Sequence, residues 1–144
     1  MKPIPTGTRF AFDYTVQPGV TVPALYADTF PEFAQMPGVL ATGLMVTLIE
    51  GCCQRAILPF LDWPREGSLG VHVDFSHLAP TPPGMTVHVT AEVVAVNGRR
   101  VVFRAEAFDA VECISRGTHE RMVVDYERFA RKAADKARAA GLAA

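Results

Sequence analysis

Cysteine is scarce in this chain, and the three copies, Cys52, Cys53 and Cys113, form no CxxC pair and have no histidine at ligand spacing. An odd number so arranged argues against a disulfide framework and against a zinc site, so all three are expected to be core thiols. A glycine-rich phosphate loop, a GxSxG elbow and tandem repeats are also missing. Charge of one sign is not in excess either. Lys plus Arg is 14 against 15 for Asp plus Glu, a net charge of −1, which gives no footprint for nucleic acid as the main partner. The longest uncharged apolar run, Met36 to Ile49, falls short of the ~18 residues a membrane span needs, and the start, MKPIPTGTRF, has no apolar signal core. These absences lead us to expect a cytoplasmic protein with no membrane, nucleic-acid or metal partner.

What is present is enough for one core. A chain of 144 residues is the size of a single domain burying roughly two thirds of its unfolded surface. We read 1–144 as one domain, with 1–7 and about 130–144 peripheral. Its organising stretch is Leu40 to Leu61, LATGLMVTLIEGCCQRAILPFL, apolar on most of a helical circumference and therefore expected to be buried. Gly43, Thr47, Glu50 and Gln54 follow at steps of four, three and four, which makes one narrow polar and small stripe. Gly43 and Gly51 each cost about 1 kcal/mol relative to alanine inside a helix, which suggests close approach by a ligand or another backbone. A lone carboxylate on such a helix must be paired, protonated or used. Pairing of Glu50 with Arg55, or exposure of Glu50 at a subunit seam, is the simplest structural account.

The flanking chain has a different period. Thr8 to Val16 alternates apolar and polar residues as a half-buried strand does. Residues 17–39 are punctuated by Pro18, Pro23, Pro31 and Pro37, and should form a loop with short helical turns around Ala24 to Ala27 and Pro31 to Gln35. Phe30, Phe33 and Met36 are an apolar cluster in that loop, either packed over the core or acting as a lid. Strands follow at Gly70 to Ala79, Met85 to Val96, Arg100 to Phe108 and Glu112 to Asp125, with Asn97-Gly98 a strong hairpin signal. The alanine-rich end from Tyr126 onward is helix-prone, a basic surface cap that could touch a phosphorylated ligand. One strand, one long helix and then an antiparallel series is the order of an α+β hot-dog fold, in which the sheet wraps a central helix. The small-residue stripe on that helix suggests a homodimer with the stripe at the two-fold interface.

Several segments share a pattern with a known family. Phe33-Ala34, Ala41-Thr42-Gly43, Glu50, Gly67-Ser68-Leu69-Gly70, His77 to Gly84 (HLAPTPPG) and Gly117 to Arg121 (GTHER) resemble, in that order, the fluoroacetyl-CoA thioesterase family of hot-dog proteins. The resemblance runs from the first strand to about Phe129. It implies a dimeric acyl-CoA thioesterase without metal or cofactor, coenzyme A being part of the substrate. It further implies catalytic roles for Thr42, Glu50 and His77, a place in the acyl pocket for Gly70, and a lid role for Phe33. Met36 stands where the fluoroacetyl-specific enzyme has a second, gating phenylalanine. A flexible thioether closes a pocket less specifically than a ring, so a broader short-chain substrate is expected.

Thioester hydrolysis needs a nucleophile or an activated water, a group to manage its proton and donors for the oxyanion. Glu50 can attack directly or act as base for water. Histidine is the side chain suited to proton transfer around neutral pH, which makes His77 the candidate for that task. Thr42, near the helix start, can orient Glu50, His77 or the carbonyl, beside free N-terminal amides. Eight helical residues put Thr42 and Glu50 about 12 Å apart along the axis. Thr42 therefore either precedes the helix or works with the Glu50 of a second copy. His72 and His88 read as surface or ordinary packed residues, and His119 as part of a hydrogen-bond network on the last strand. Arg121, with Arg99 and Arg100 as weaker candidates, could hold a phosphate of CoA. A hot-dog enoyl-thioester hydratase or dehydratase, or a non-catalytic acyl-CoA binding protein, would use a similar residue set. Neither would release free thiol.

Overall fold

The computed structural model describes residues 1–142. Its elements are β1 (Arg9–Thr15), α1 (Thr42–Ile57), β2 (Glu66–His77), β3 (Thr86–Asn97), β4 (Arg100–Phe108), β5 (Cys113–Asp125) and α2 (Tyr126–Ala139), with short 3₁₀ turns between β1 and α1 and after α1. The strands form one antiparallel sheet in the order β1-β3-β4-β5-β2, and α1 packs against all five. This is the expected sheet wrapped around a central helix.

Period-two alternation builds the core. In β3, Val87, Val89, Ala91 and Val93 are buried, and in β4 so are Val101, Phe103, Ala105 and Ala107, while the residues between them face outward. The inward face of α1 is Met45, Ile49, Cys52, Cys53, Ala56 and Ile57. Cys52 and Cys53 are thus core thiols, as expected, and burial pushes the Cys52 thiol up to about 11 and Cys53 higher still.

The helix is shorter than its apolar run at both ends. Leu40 is held in a bridge to Thr21, and the Ala41 amide donates to the Val20 carbonyl at 3.0 Å, so helical geometry starts at Thr42. Pro59 lacks the N–H needed to continue, and the chain leaves through a single 3₁₀ turn, Leu58–Phe60. Gly43 and Gly51 differ from expectation: a Cβ added at either would meet nothing within 4 Å. The close approach they were expected to permit does not occur within this chain.

β2 begins at Glu66, four residues earlier than its sequence pattern suggests, because Gly67, Ser68 and Leu69 pair with Val124, Val123 and Met122 of β5. A register shift between Gly70 and His72 divides the strand. Glu66 to Ser68 are buried before it, and Val71 to Asp74 are exposed after it. β2 is an edge strand, and Val71 and Val73 stand 48% and 45% exposed on it.

Candidate active site

Two polar clusters share α1. The first lies at its start, where Thr42 is the first helical residue and His77 closes β2. Thr42 Oγ1 and His77 Nδ1 are 2.8 Å apart. The other ring nitrogen of His77, Nε2, is buried and has no hydrogen-bond partner among the described residues. The Thr42 and Gly43 amides at this start of α1 lie beside the pair and have no intrahelical acceptor, whereas the Leu44 and Met45 amides donate to the Ala41 carbonyl.

The second cluster lies about two turns further along the same helix. Glu50 Oε1 is 3.5 Å from Arg121 Nη1 and 3.6 Å from His119 Nε2, and its side chain is one-third exposed. Gly70 leaves the room that this carboxylate occupies, since a Cβ there would fall 2.2 Å from Glu50 Oε1. Arg121 is buried and fixed on three sides: Nε donates to Ser68 Oγ at 2.8 Å, Nη2 to the Ser68 carbonyl at 2.9 Å, and Nη1 to His119 Nε2 at 3.1 Å. His119 is fully buried, and its Nδ1 lies 2.7 Å from the His72 carbonyl. A carbonyl only accepts, so Nδ1 carries the proton and Nε2 presents the lone pair that receives Arg121. Burial holds the imidazole below its ordinary pKa, and burial lowers the Arg121 guanidinium while Glu50 opposes that shift.

Two expectations need correction. Arg121 is 6% exposed and committed to Ser68 and His119, so it cannot reach out to a CoA phosphate at the surface. It belongs to the floor beneath Glu50. Arg55, the partner in one of the two accounts offered for Glu50, is exposed and does not pair with it, because positions five apart do not share a helix face; the other account, exposure of Glu50, matches a side chain one-third exposed. Arg99 pairs with Glu66 at 3.1 Å and Arg100 pairs with Glu120. His72 and His88 are exposed, as expected, and His88 Nδ1 sits 2.6 Å from Asp13.

The loop over 17–39 supplies an aromatic pair. The rings of Phe30 and Phe33 stack with centroids 5.1 Å apart. Met36 follows them on the surface, 42% exposed. Ser68 was not singled out in the sequence, since only the register of β2 on β5 brings it to Arg121; His119 and Arg121 were, and they lie two apart on the face of β5 that also carries buried Val123. Among the described residues no group of three His, Cys, Asp or Glu is placed to hold a metal ion.

A helix wrapped by an antiparallel sheet, with a Thr–His pair at its start and a carboxylate seated over a glycine further along, defines a hot-dog thioester hydrolase. A family model described as fluoroacetyl-CoA-specific thioesterase (FlK) matches residues 25–127, and the chain belongs to that family. It is 50% identical over 130 residues to the fluoroacetyl-CoA thioesterase of Streptantibioticus cattleyicolor, covering 90% of this chain and 92% of that protein. A solved structure of a fluoroacetyl-CoA thioesterase superposes with a TM-score of 0.89 at 48% identity, covering 94% of this chain and 98% of that one. A thioesterase-superfamily protein of Thermus thermophilus superposes with a TM-score of 0.82 at 33% identity, covering 96% and 99%.

Proposed function

We propose that this enzyme hydrolyses short-chain acyl-CoA to the free acid and CoA, with a substrate range wider than the fluoroacetyl group, in a site completed by two copies of the chain. The observation that carries the reading is the Thr42–His77 hydrogen bond at the start of the helix that also presents Glu50. Thr42 and His77 form a proton-handling pair beside free helix amides suited to an oxyanion. Glu50 supplies the carboxylate that activates water or attacks the thioester carbon. The Arg121 guanidinium, Gly70 and the lid residues Phe33 and Met36 bound the acyl end. No cofactor is required beyond the CoA carried by the substrate, and the three free thiols suit a reducing, cytoplasmic setting.

Three features support a homodimer. Roughly 12 Å of helix separates Thr42 from Glu50, too far for one chain's pair to act on one carbonyl, and antiparallel helices from two copies would bring Thr42 and His77 of one against Glu50 of the other. The edge strand β2, with Val71 and Val73 exposed, is the kind of edge that proteins cover by pairing. Gly43 and Thr47 are exposed on α1 with open space around Gly43, which suits a second helix packing there. The orphaned His77 Nε2 would then face the substrate or the second copy.

The test is thiol release and product mass across acetyl-, fluoroacetyl-, branched and aromatic acyl-CoA, with Glu50→Gln alongside. We expect free thiol and free acid from several short acyl groups, and a loss of about 10²–10⁴-fold in the variant. Hydration of an enoyl thioester without thiol release, or binding without turnover, would replace this reading with one of the two alternatives. An unchanged rate in the variant would remove Glu50 from the mechanism.

A further inference from the structure

Arg121 is unavailable to the phosphates of CoA, which leaves the question of what holds the nucleotide end. A groove of about 610 Å³ opens where β2 begins and β5 ends, between the sheet and α2. Its lining includes four basic side chains, Arg65, Arg99, Arg128 and Lys132, against two carboxylates, Glu66 and Asp125. The chain as a whole carries −1, so this positive surplus is local.

The four cations are not equivalent. Arg65 is neutralised by Asp62 at 2.7 Å and by Asp125 at 3.6 Å, and Arg99 meets Glu66 at 3.1 Å while staying 56% exposed. Glu66 is itself shared with the Met1 amino group at 2.8 Å, so Arg99 is only partly compensated. Arg128 and Lys132 have no acidic partner among the described residues. They lie four apart on α2, one turn, and therefore on one helix face. Between them in sequence Phe129 is 48% exposed and lines the same groove. An open aromatic flanked by unpaired cations offers a stacking surface for a base and charge for phosphates, which is the chemistry of a phosphorylated nucleoside.

The position suits the same substrate. From Gly70 and Arg121, which meet at Glu50, to Glu66 and Asp125 at the groove is four residues along each of two paired strands, about 13 Å. The pantetheine arm, an extended chain of amide and methylene units, spans a distance of that order, passing round the end of the sheet.

We propose that Arg99, Arg128, Lys132 and Phe129 form the subsite for the 3′-phosphoadenosine diphosphate end of the CoA thioester. The assignment rests on the acyl-CoA reading above. It predicts separable behaviour for the two ends of the substrate, because an N-acetylcysteamine thioester carries the same acyl group and lacks the nucleotide.

The test uses the full chain and the variants R128A/K132A and F129A, with thermal unfolding as a check on the fold. Direct binding of adenosine 3′,5′-bisphosphate, followed by calorimetry, should be measurable for the wild type and reduced about tenfold or more in R128A/K132A. KM for acyl-CoA should rise by a similar factor with kcat within about twofold, and its salt dependence should flatten as two screened contacts are lost. The N-acetylcysteamine thioester should be turned over equally by the wild type and both variants. Equal bisphosphate binding in wild type and variant, or an equal rise in KM for both thioesters, would overturn the subsite. Bisphosphate binding that depends on these residues in a protein that cleaves neither thioester would support the groove and overturn the hydrolase reading instead.

Discussion

The hydrogen of Gly70 that faces α1 points at Glu50, and the methyl group of alanine in its place would sit 2.2 Å from Glu50 Oε1 and 3.1 Å from His119 Cε1. The glycine is required by the carboxylate and not by the backbone, since Gly70 is absent from the residues with positive φ. The sequence assigned Gly70 to the acyl pocket through resemblance. Its contact shows a more specific task, that of leaving the Glu50 carboxylate its seat beside Arg121 and His119.

Gly70→Ala should therefore act through Glu50. The carboxylate is the end of a flexible side chain and can swing away, so the fold should survive while kcat falls by about 10²-fold, the cost of misplacing a reacting group by roughly an ångström. Combining it with Glu50→Ala separates the two effects. If Gly70→Ala loses stability or activity equally in both backgrounds, the glycine serves something other than this carboxylate, and a double-mutant cycle on unfolding and rate reads the difference.

Mixed dimers test whether the two clusters on α1 meet across copies. Thr42→Ala and Glu50→Gln should each be inactive alone. If each site takes Thr42 and His77 from one chain and Glu50 from the other, a mixed dimer has one doubly damaged site and one intact site. Random co-assembly makes half the dimers mixed, so activity should return to about a quarter of the wild-type level. A mixture that stays dead would place all three residues in one chain. Val73→Lys, placed on the exposed β2 edge, should give monomers by light scattering and lose activity along with the pairing.

Met36→Phe should narrow the substrate range. Met36 is exposed beside the stacked Phe30–Phe33 pair, and a rigid ring added there extends the aromatic lid. The ratio of kcat/KM for fluoroacetyl- over branched acyl-CoA should rise by about tenfold, the scale on which a change of pocket shape discriminates substrates. An unchanged ratio would show that the lid position does not set selectivity.

Much of this arrangement was legible because it follows from periodicity. The alternation in β3 and β4, the Asn97-Gly98 hairpin signal, whose two-residue loop is Gly98-Arg99 between the paired Asn97 and Arg100, and the apolar circumference of α1 each express a local rule, and the order of elements then restricts the fold. The floor under Glu50 was not legible in that way. Which cation faces Glu50 depends on the pairing register of β2 with β5, where Gly70 lies opposite Arg121 and the shift after it re-aims the strand. A register is a non-local property, and the nearby Arg55 was the natural guess from sequence distance alone. The exposure of β2 beyond the shift could not be read from its valines, because an exposed apolar edge strand looks like a buried strand in sequence.

His119 should set the acid limit of stability. Its imidazole is fully buried near the rings of Phe75 and Phe103, donates to the His72 carbonyl and accepts from Arg121 at Nε2, with Glu50 Oε1 3.6 Å from that same nitrogen. Protonation would place a cation against Arg121, and burial already holds the folded-state pKa below the ordinary 6.5. The unfolded chain therefore binds the extra proton first. Above pH 6.5 both states are neutral at this residue and its contribution is fully present; as pH falls below 6.5 the unfolded state gains protons and stability declines, with a slope approaching about 1.4 kcal/mol per pH unit until the folded value is reached. The window lies above that of the carboxylates, so it can be read separately. Denaturant unfolding between pH 7.5 and about pH 5 should show this slope in the wild type, while His119→Gln, less stable throughout, should be flat over the same range. An equal slope in both proteins would assign the acid sensitivity elsewhere and leave His119 a packed ring without the fixed neutral tautomer that holds Arg121 beneath Glu50.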